Sequence, residues 1–387
     1  MAEPRANGDD LLVVDNLVKH FPIPGSESYV QACEGLTFSL ARGDTLGIVG
    51  ESGSGKTTLG RCVLRLIEPT SGEIVFDGQD LMRLSSKELR RVRRDMQMVY
   101  QEPFDSLNPM LSIGSQVGEP LLIHTGLSRR ERRKRVEEIL TLVGLPIGIA
   151  DAVPEGLSPG TLQRCSIARA IATEPKLIVL DEPTSALTPE AEADIIRLLN
   201  ELQERLGLAY IFISHDLSLV REFCDRVAVM YLSQMVEVGT QEELFARPRH
   251  PYSRALLASV LVADPDSRRG LADRAERLVG EIPSPIDLPS GCYLASRCPY
   301  VRERCGGEPQ ELVSLGDGNE KREQRLIRCW RVTEADLTDE EIEESRRRRL
   351  VEAEADEAAE RPESNVARPA RSSGTEQAHD DRGGRPA

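Results

Sequence analysis

Residues 50–57 read Gly50-Glu51-Ser52-Gly53-Ser54-Gly55-Lys56-Thr57, a complete G-x-x-x-x-G-K-T phosphate loop. Its glycines allow the tight backbone path that turns successive N–H groups inward toward phosphate oxygens. Lys56 has the reach to bond β- and γ-phosphates, and the Thr57 hydroxyl can ligate Mg²⁺. The apolar run Thr45-Leu46-Gly47-Ile48-Val49 before the loop reads as a buried strand. Thr58 to Leu64 after it read as a helix, whose positive N-terminal end adds to the attraction for an anion. This strand, loop and helix context separates a nucleoside-triphosphate site from a chance Gly-rich turn.

Working outward, Leu177-Ile178-Val179-Leu180 and Ala209-Tyr210-Ile211-Phe212-Ile213 are short continuous apolar runs, the pattern of parallel strands buried on both faces. The first runs into Asp181-Glu182-Pro183, which places two carboxylates where open α/β sheets bind ligands. Asp181 suits Mg²⁺, and Glu182 suits orienting or deprotonating an attacking water. The second run leads into Ser214-His215-Asp216, where His215 can meet a γ-phosphate and position the water. Gln101 follows a third short strand, Met96 to Tyr100, and offers an amide to Mg²⁺ or water. Singly, a strand-end acid, histidine or glutamine is commonly structural; beside a phosphate loop the set reads as a hydrolytic centre.

Composition bounds the rest. The 387 residues carry 64 acidic and 49 basic side chains, a net charge of −15, which argues against nucleic acid as a partner. The densest basic cluster, Arg129 to Arg135, reads as the solvated face of a helix. No run of about 18 apolar residues is present to span a bilayer. The N-terminus lacks an apolar signal core, so an intracellular protein with reduced cysteines is expected. Further strands are expected at Leu11 to Val14, Gly35 to Leu40 and Glu73 to Phe76, with Phe21 to Gly25 as a loop. Helical spacing runs from Pro109 to Leu145. From Glu334 apolar residues thin out, and a disordered acidic tail is expected, apart from a charged helix over 339–359.

The ordered set Gly50 to Thr57, Gln101, Leu157-Ser158-Pro159-Gly160-Thr161-Leu162-Gln163-Arg164, Asp181-Glu182, Ser185-Ala186-Leu187 and His215 resembles the ATP-binding subunit of ABC transporters. The stretches Gln101 to Pro109 and His250 to Leu257 are similar to the oligopeptide/dipeptide importer group, with nickel importers as close relatives. Gly280 to Pro285, Gly291-Cys292 and Arg297-Cys298-Pro299 resemble that group's C-terminal extension.

The resemblance implies an α/β P-loop NTPase fold, an ABC nucleotide-binding domain over 10–260 with a helical subdomain at about 103–165. A Cys-containing extension follows over 261–332, flanked by a flexible N-terminus, 1–9, and the tail, 333–387. It further implies that Gly50, Glu51, Ser52, Gly53, Ser54, Gly55, Lys56, Thr57, Thr58 and Asp181 bind ATP and Mg²⁺, with Phe21, or alternatively Tyr29, stacking on adenine. Glu182, His215 and Gln101 would be catalytic. Ser158, Pro159, Gly160, Thr161 and Gln163 would form the signature loop that completes a partner subunit's ATP site. The implied assembly holds two ATPase subunits, two transmembrane permeases and an extracytoplasmic solute-binding protein, with this chain peripheral on the cytoplasmic face of the cell membrane. A soluble, non-transport ABC ATPase is the alternative, expected to carry two cassettes or a basic coiled-coil insertion.

Two departures from the family pattern stand out. Residues 157–161 read Leu-Ser-Pro-Gly-Thr where the family usually has Leu-Ser-Gly-Gly-Gln, so Pro159 removes a backbone N–H that would face the partner's γ-phosphate. Thr188 stands where an Asp is common. A heterodimer with unequal sites is therefore expected, the site on this chain's own phosphate loop being the hydrolytic one.

Cys33, Cys62, Cys165 and Cys224 are scattered through apolar sequence and read as core residues. Cys292, Cys298, Cys305 and Cys329 instead cluster with spacing C-x5-C-x6-C-x23-C in a Pro/Gly-rich segment, where a metal would add stability. Soft thiolates leave open a 4Fe-4S cluster, as some members of the resembled group carry, or zinc, or free thiols.

Overall fold

The computed structural model describes residues 10–261, 278–316, 325–338, 340–342, 344–345 and 347. Two sheets organise it. In the first, β1 (Asp10–Pro22) lies between β2 (Tyr29–Ala41) and β4 (Ser71–Phe76), with the short β5 (Gln79–Asp80) at the edge. β1 runs longer than its apolar alternation suggests. Phe21 and Pro22, expected in a loop, pair with Val30 and Tyr29 and extend the hairpin, and register shifts along β1 break the period-two pattern that would have marked them.

The second sheet has the order β11-β12-β10-β9-β3-β8-β7-β6. Its centre is parallel: β3 (Thr45–Val49), β6 (Met96–Val99), β7 (Leu177–Asp181), β8 (Ala209–Ile213) and β9 (Arg226–Tyr231). Every residue of β3, β7 and β8 is buried, the physical reason their sequences are unbroken apolar runs. The C-terminal ends of β3, β6, β7 and β8 share one edge, so everything that follows those strands is gathered there. β10 (Gln234–Thr240) turns antiparallel to β9 and is covered by β12 (Leu326–Ile327), with β11 (Val313–Ser314) beyond.

Helix α1 (Lys56–Val63) leaves the phosphate loop, and α2 (Ser86–Val92) begins in a Ser85/Glu88 capping box. A helical layer follows, made of α3 (Pro103–Ser106), α4 (Ile113–His124), α5 (Arg129–Leu142) and α6 (Pro159–Ile171). Ser128 and Glu131 cap α5 reciprocally; its arginines point largely to solvent while Val136, Ile139 and Leu140 face inward against Ile113, Val117 and Leu121. This apolar cluster is continuous with the one beneath α7 (Pro189–Leu206) and α8 (Leu217–Phe223). A second core, with Leu12, Val14, Ile48, Leu59 and Ile211, lies between the two sheets. α9 (Gln241–Ala246) and α10 (Pro251–Leu261) close the cassette.

The extension is tied to the cassette by more than β12. Glu237 of β10 is fully buried and accepts the N–H groups of Arg249 at 3.0 Å and His250 at 2.8 Å. Arg325 completes its shell, Nε at 3.1 Å and Nη2 alongside. The Gln31 N–H donates to Pro285 O at 3.0 Å, so the extension also lies along β2. Contacts continue past residue 332: buried Arg331 holds Asp336 at 2.7 Å and Glu341 at 2.6 Å, and Ile342 is packed. The charged helix expected over 339–359 is helical at 340–342, 344–345 and 347; its remainder, the rest of the tail and the N-terminal nine residues lie outside the described residues. Among the described residues no helix is long and apolar enough to cross a membrane.

Candidate nucleotide site

The phosphate loop is shaped by its neighbours. Gly50 (φ 153°) and Gly55 (φ 100°) pass so close to other strands that a Cβ would sit 2.1 Å from Met230 O and 2.1 Å from Ala32 O respectively, which only glycine permits. Lys56 curls back over the loop, its ammonium donating to Gly50 O at 2.8 Å and Glu51 O at 2.9 Å. Thr57 Oγ1 donates to Asp181 Oδ1 at 2.9 Å across the gap between α1 and β7. Burial holds the Lys56 ammonium below its ordinary pKa and the Asp181 carboxyl above it. Polyphosphate against Lys56 and a divalent cation against Asp181 would each favour the charged form, so the donor set fits ATP with Mg²⁺.

The residues expected to be hydrolytic meet on the same edge. Glu182 Oε2 accepts from Gln101 Nε2 at 3.0 Å, and His215 Nδ1 lies 3.2 Å from that oxygen. Glu182 itself is left-handed, at φ 47°, with its N–H bonded to Ile213 O at 2.9 Å. That left-handed turn presents the carboxylate at the end of β7, between the ends of β6 and β8.

The residues expected to form the signature loop divide between surface and core. Ser158 is the N-cap of α6, accepting the Thr161 N–H at 3.3 Å and lying 2.9 Å from its hydroxyl. Pro159 fills the first helical position, where its missing N–H costs the helix nothing. Ser158 and Pro159 are exposed and Gly160 half-buried. Gln163, grouped with them from sequence, is instead turned inward and 1% exposed, one turn before Ile167 on the inner face of α6. Thr188 caps α7 through the Ala191 N–H at 3.5 Å, a helix-starting role that Asp would also fill. Phe21 is half-buried with the Lys19 ammonium 4.7 Å over its ring, while Tyr29 is 51% exposed.

Cys33, Cys62, Cys165 and Cys224 are core residues, as their apolar surroundings suggest. Cys292, Cys298, Cys305 and Cys329 line one cavity with His250 and Trp330, and burial pushes the Cys292 thiol up to about 11. The donors are those of a soft-metal site. Their spacing is not that of a metal centre: among the described residues no group of three or more His, Cys, Asp or Glu could hold a metal ion.

Two features escape linear reading. Glu51 of the phosphate loop meets Arg297, 246 residues away in the extension, at 3.3 Å. On the helical layer, a cleft of about 470 Å³ is lined by residues including Leu111, Gly114, Leu122, Arg132 and Ala150, flanked by exposed Met110 and Ile123.

Residues 33–185 match the ABC transporter family, and residues 236–305 match the oligopeptide/dipeptide transporter C-terminal region. The chain is 47% identical over 308 residues to the oligopeptide transport ATP-binding protein AppF of Bacillus subtilis, covering 78% of this chain and 92% of that one. It is 43% identical over 303 residues to the oligopeptide transport ATP-binding protein OppF of Salmonella typhimurium, covering 76% and 90%. Among solved structures it is similar to the dimeric ATP-binding cassette MJ0796 bound to ADP and Pi (TM-score 0.55, 31% identity, 59% of this chain and 98% of that one). CbiO1 of Clostridium perfringens, part of an ABC transporter complex, aligns with TM-score 0.57 at 29% identity over 68% of this chain and 99% of its own.

Proposed function

The chain belongs to the ATP-binding subunits of ABC transporters, and on that premise we propose that it hydrolyses ATP to power import of oligopeptides or dipeptides. The observation that carries the hydrolytic part is the convergence of Gln101 and His215 on one oxygen of Glu182, on the sheet edge that also holds Lys56, Thr57 and Asp181. Lys56 and the N–H groups of residues 50–58 bind the phosphates. Mg²⁺, when bound, supplies charge neutralisation between phosphate oxygens, and Thr57 and Asp181 are the residues that would hold it. Glu182 orients the attacking water and takes its proton, with Gln101 fixing the carboxylate and His215 reaching toward the γ-phosphate. Phe21 or Tyr29 supplies a face for adenine.

The peptide reading is supported by the match to the oligopeptide/dipeptide C-terminal region and by the naming of the relatives. Nickel or another solute is the competing cargo, because the permeases and the binding protein would select it. The chain works on the cytoplasmic face of the membrane, with residues 10–260 as the cassette and the cleft between α4 and α5 as the surface for a permease. A second, non-identical ATPase subunit completes each nucleotide site. The Ser158–Pro159–Gly160 turn faces that subunit's nucleotide with one donor fewer than usual. The four extension cysteines share one cavity but form no metal-holding group there, so of the 4Fe-4S, zinc and free-thiol readings the arrangement favours free thiols, and anaerobically purified protein carrying both iron and acid-labile sulfide would restore the cluster.

Affinity purification of the chain from gently solubilised native membranes is the test. Recovery of two multi-spanning permeases and a second ATPase is expected, followed by ATP-dependent peptide uptake when they are reconstituted with the binding protein. Recovery from the soluble fraction without permeases would favour the non-transport alternative.

A further inference from the structure

We propose that Arg297, in the Cys-bearing extension, is a positioning residue for ATP binding: it neutralises Glu51 of the phosphate loop and holds that carboxylate clear of the incoming triphosphate. The inference rests on the assignment of residues 50–58 as the ATP site. Glu51 is anchored at two points. Its N–H donates to the Tyr252 hydroxyl at 3.0 Å, and its carboxylate meets Arg297 Nη1 at 3.3 Å. The same Nη1 lies 3.3 Å from the Tyr231 hydroxyl, and the guanidinium sits 5.8 Å over the Tyr231 ring. The rings of Tyr231 and Tyr252 pack at 4.7 Å, so two tyrosines and an arginine form one brace against the loop.

The geometry favours a strong field. The Arg297 side chain is only 10% exposed and Glu51 33%, so water screens the pair less than it would a surface pair. Glu51 O also bonds the Lys56 ammonium at 2.9 Å, which puts the residue against the phosphate-reading lysine. An uncompensated carboxylate there repels a polyanion. A single like-charge pair at roughly 8 Å and an effective dielectric of about 40 weakens binding about fivefold. The extension is therefore part of the nucleotide site, although the motifs that define the site end far upstream of it.

Titration of the full-length chain with a fluorescent ATP analogue tests this. Arg297→Met is expected to bind about fivefold more weakly at low ionic strength, with the difference shrinking as salt is added. Arg297→Lys should retain most of the affinity. Glu51→Gln added to Arg297→Met should restore it to near the wild-type value, an outcome that lost packing does not produce. Wild-type affinity in Arg297→Met, or no restoration in the double variant, overturns the proposal. If Arg297→Met does not fold, Glu51→Gln alone decides: binding at least as tight as wild type supports the charge role, and a fivefold loss refutes it. Lys56→Ala separates the two levels. Lost binding there beside an unaltered Arg297→Met overturns the role of Arg297 alone, whereas unaltered binding in Lys56→Ala overturns the site and that role together.

Discussion

Arg325→Met is expected to lower the stability of the folded chain by about 3–5 kcal/mol, the cost of stranding one member of a buried ion pair. Glu237 is 0% exposed and the Arg325 side chain 7% exposed, so neither can reach water when the other is removed. The variant leaves Glu237 with the N–H groups of Arg249 and His250 but without its counter-charge, and it also removes the Arg325 bond to Arg247 O at 2.6 Å. Methionine replaces most of the lost volume, so the loss is electrostatic rather than a cavity. For a cassette of this size, about 2–4 °C per kcal/mol converts the loss to a melting point lower by about 6–20 °C. Scanning calorimetry of wild type, Arg325→Met, Glu237→Gln and the double variant reads it. The double variant should recover at least half of the loss, because no charge is then buried. A melting point within about 2 °C of wild type for Arg325→Met, or strictly additive losses, would refute the reasoning.

Glu182→Gln should keep nucleotide binding while the ATPase rate of the assembled complex falls about 10²–10⁴-fold; retention of most of the rate would exclude both Glu182 as the base and the unequal-sites heterodimer. Pro159→Gly restores a backbone donor worth about 1.5–3 kcal/mol at a phosphate, so in a Glu182→Gln background it should raise the residual ATPase of the complex at least about tenfold. No rise would show that the missing N–H does not limit the partner's site. Burial takes the His250 imidazole from 6.5 down to about 3, where its Nδ1 accepts the Tyr252 N–H at 3.1 Å. Between those pH values the unfolded chain binds the extra proton, so stability is full above about 6.5 and falls by about 1.4 kcal/mol per pH unit as the solution is acidified. His250→Gln should flatten that slope in urea melts at a series of pH values, and an unchanged slope would count against it.

The centre of the fold was legible because its strands are buried on both faces, which leaves uninterrupted apolar runs, and because each run ends in a polar residue with chemistry to offer. Gln101 and His215 say little alone; their meaning comes from β6, β7 and β8 ending on one edge. Gln163 belongs to the signature motif by sequence, yet its i+4 spacing to Ile167 also places it on the inner face of α6, where it is buried. Ser158 reads as a nucleotide-facing residue and is a helix cap as well, a local bond that competes for the same hydroxyl. The reach of β1 to Pro22 was hidden because hairpin partners, not alternation, hold its end. β11 and β12 are two residues each, too short to leave any period, and the Glu51 to Arg297 contact joins residues whose sequence surroundings share nothing.

Glu237 and Arg325 are 88 positions apart, and that separation has a meaning during synthesis. A ribosome adding about 5–20 residues per second delivers the arginine roughly 4–18 s after the glutamate. Until residues 326–327 are made, β10 has no strand to pair with on that side of the sheet, and an unpaired edge is the kind that recruits strands from neighbouring molecules. An inward-pointing charge is a known deterrent to such pairing, and Glu237 carries one in the middle of the strand. The carboxylate that later becomes half of a buried pair thus serves first as a guard, relieved when β12 arrives to take the edge.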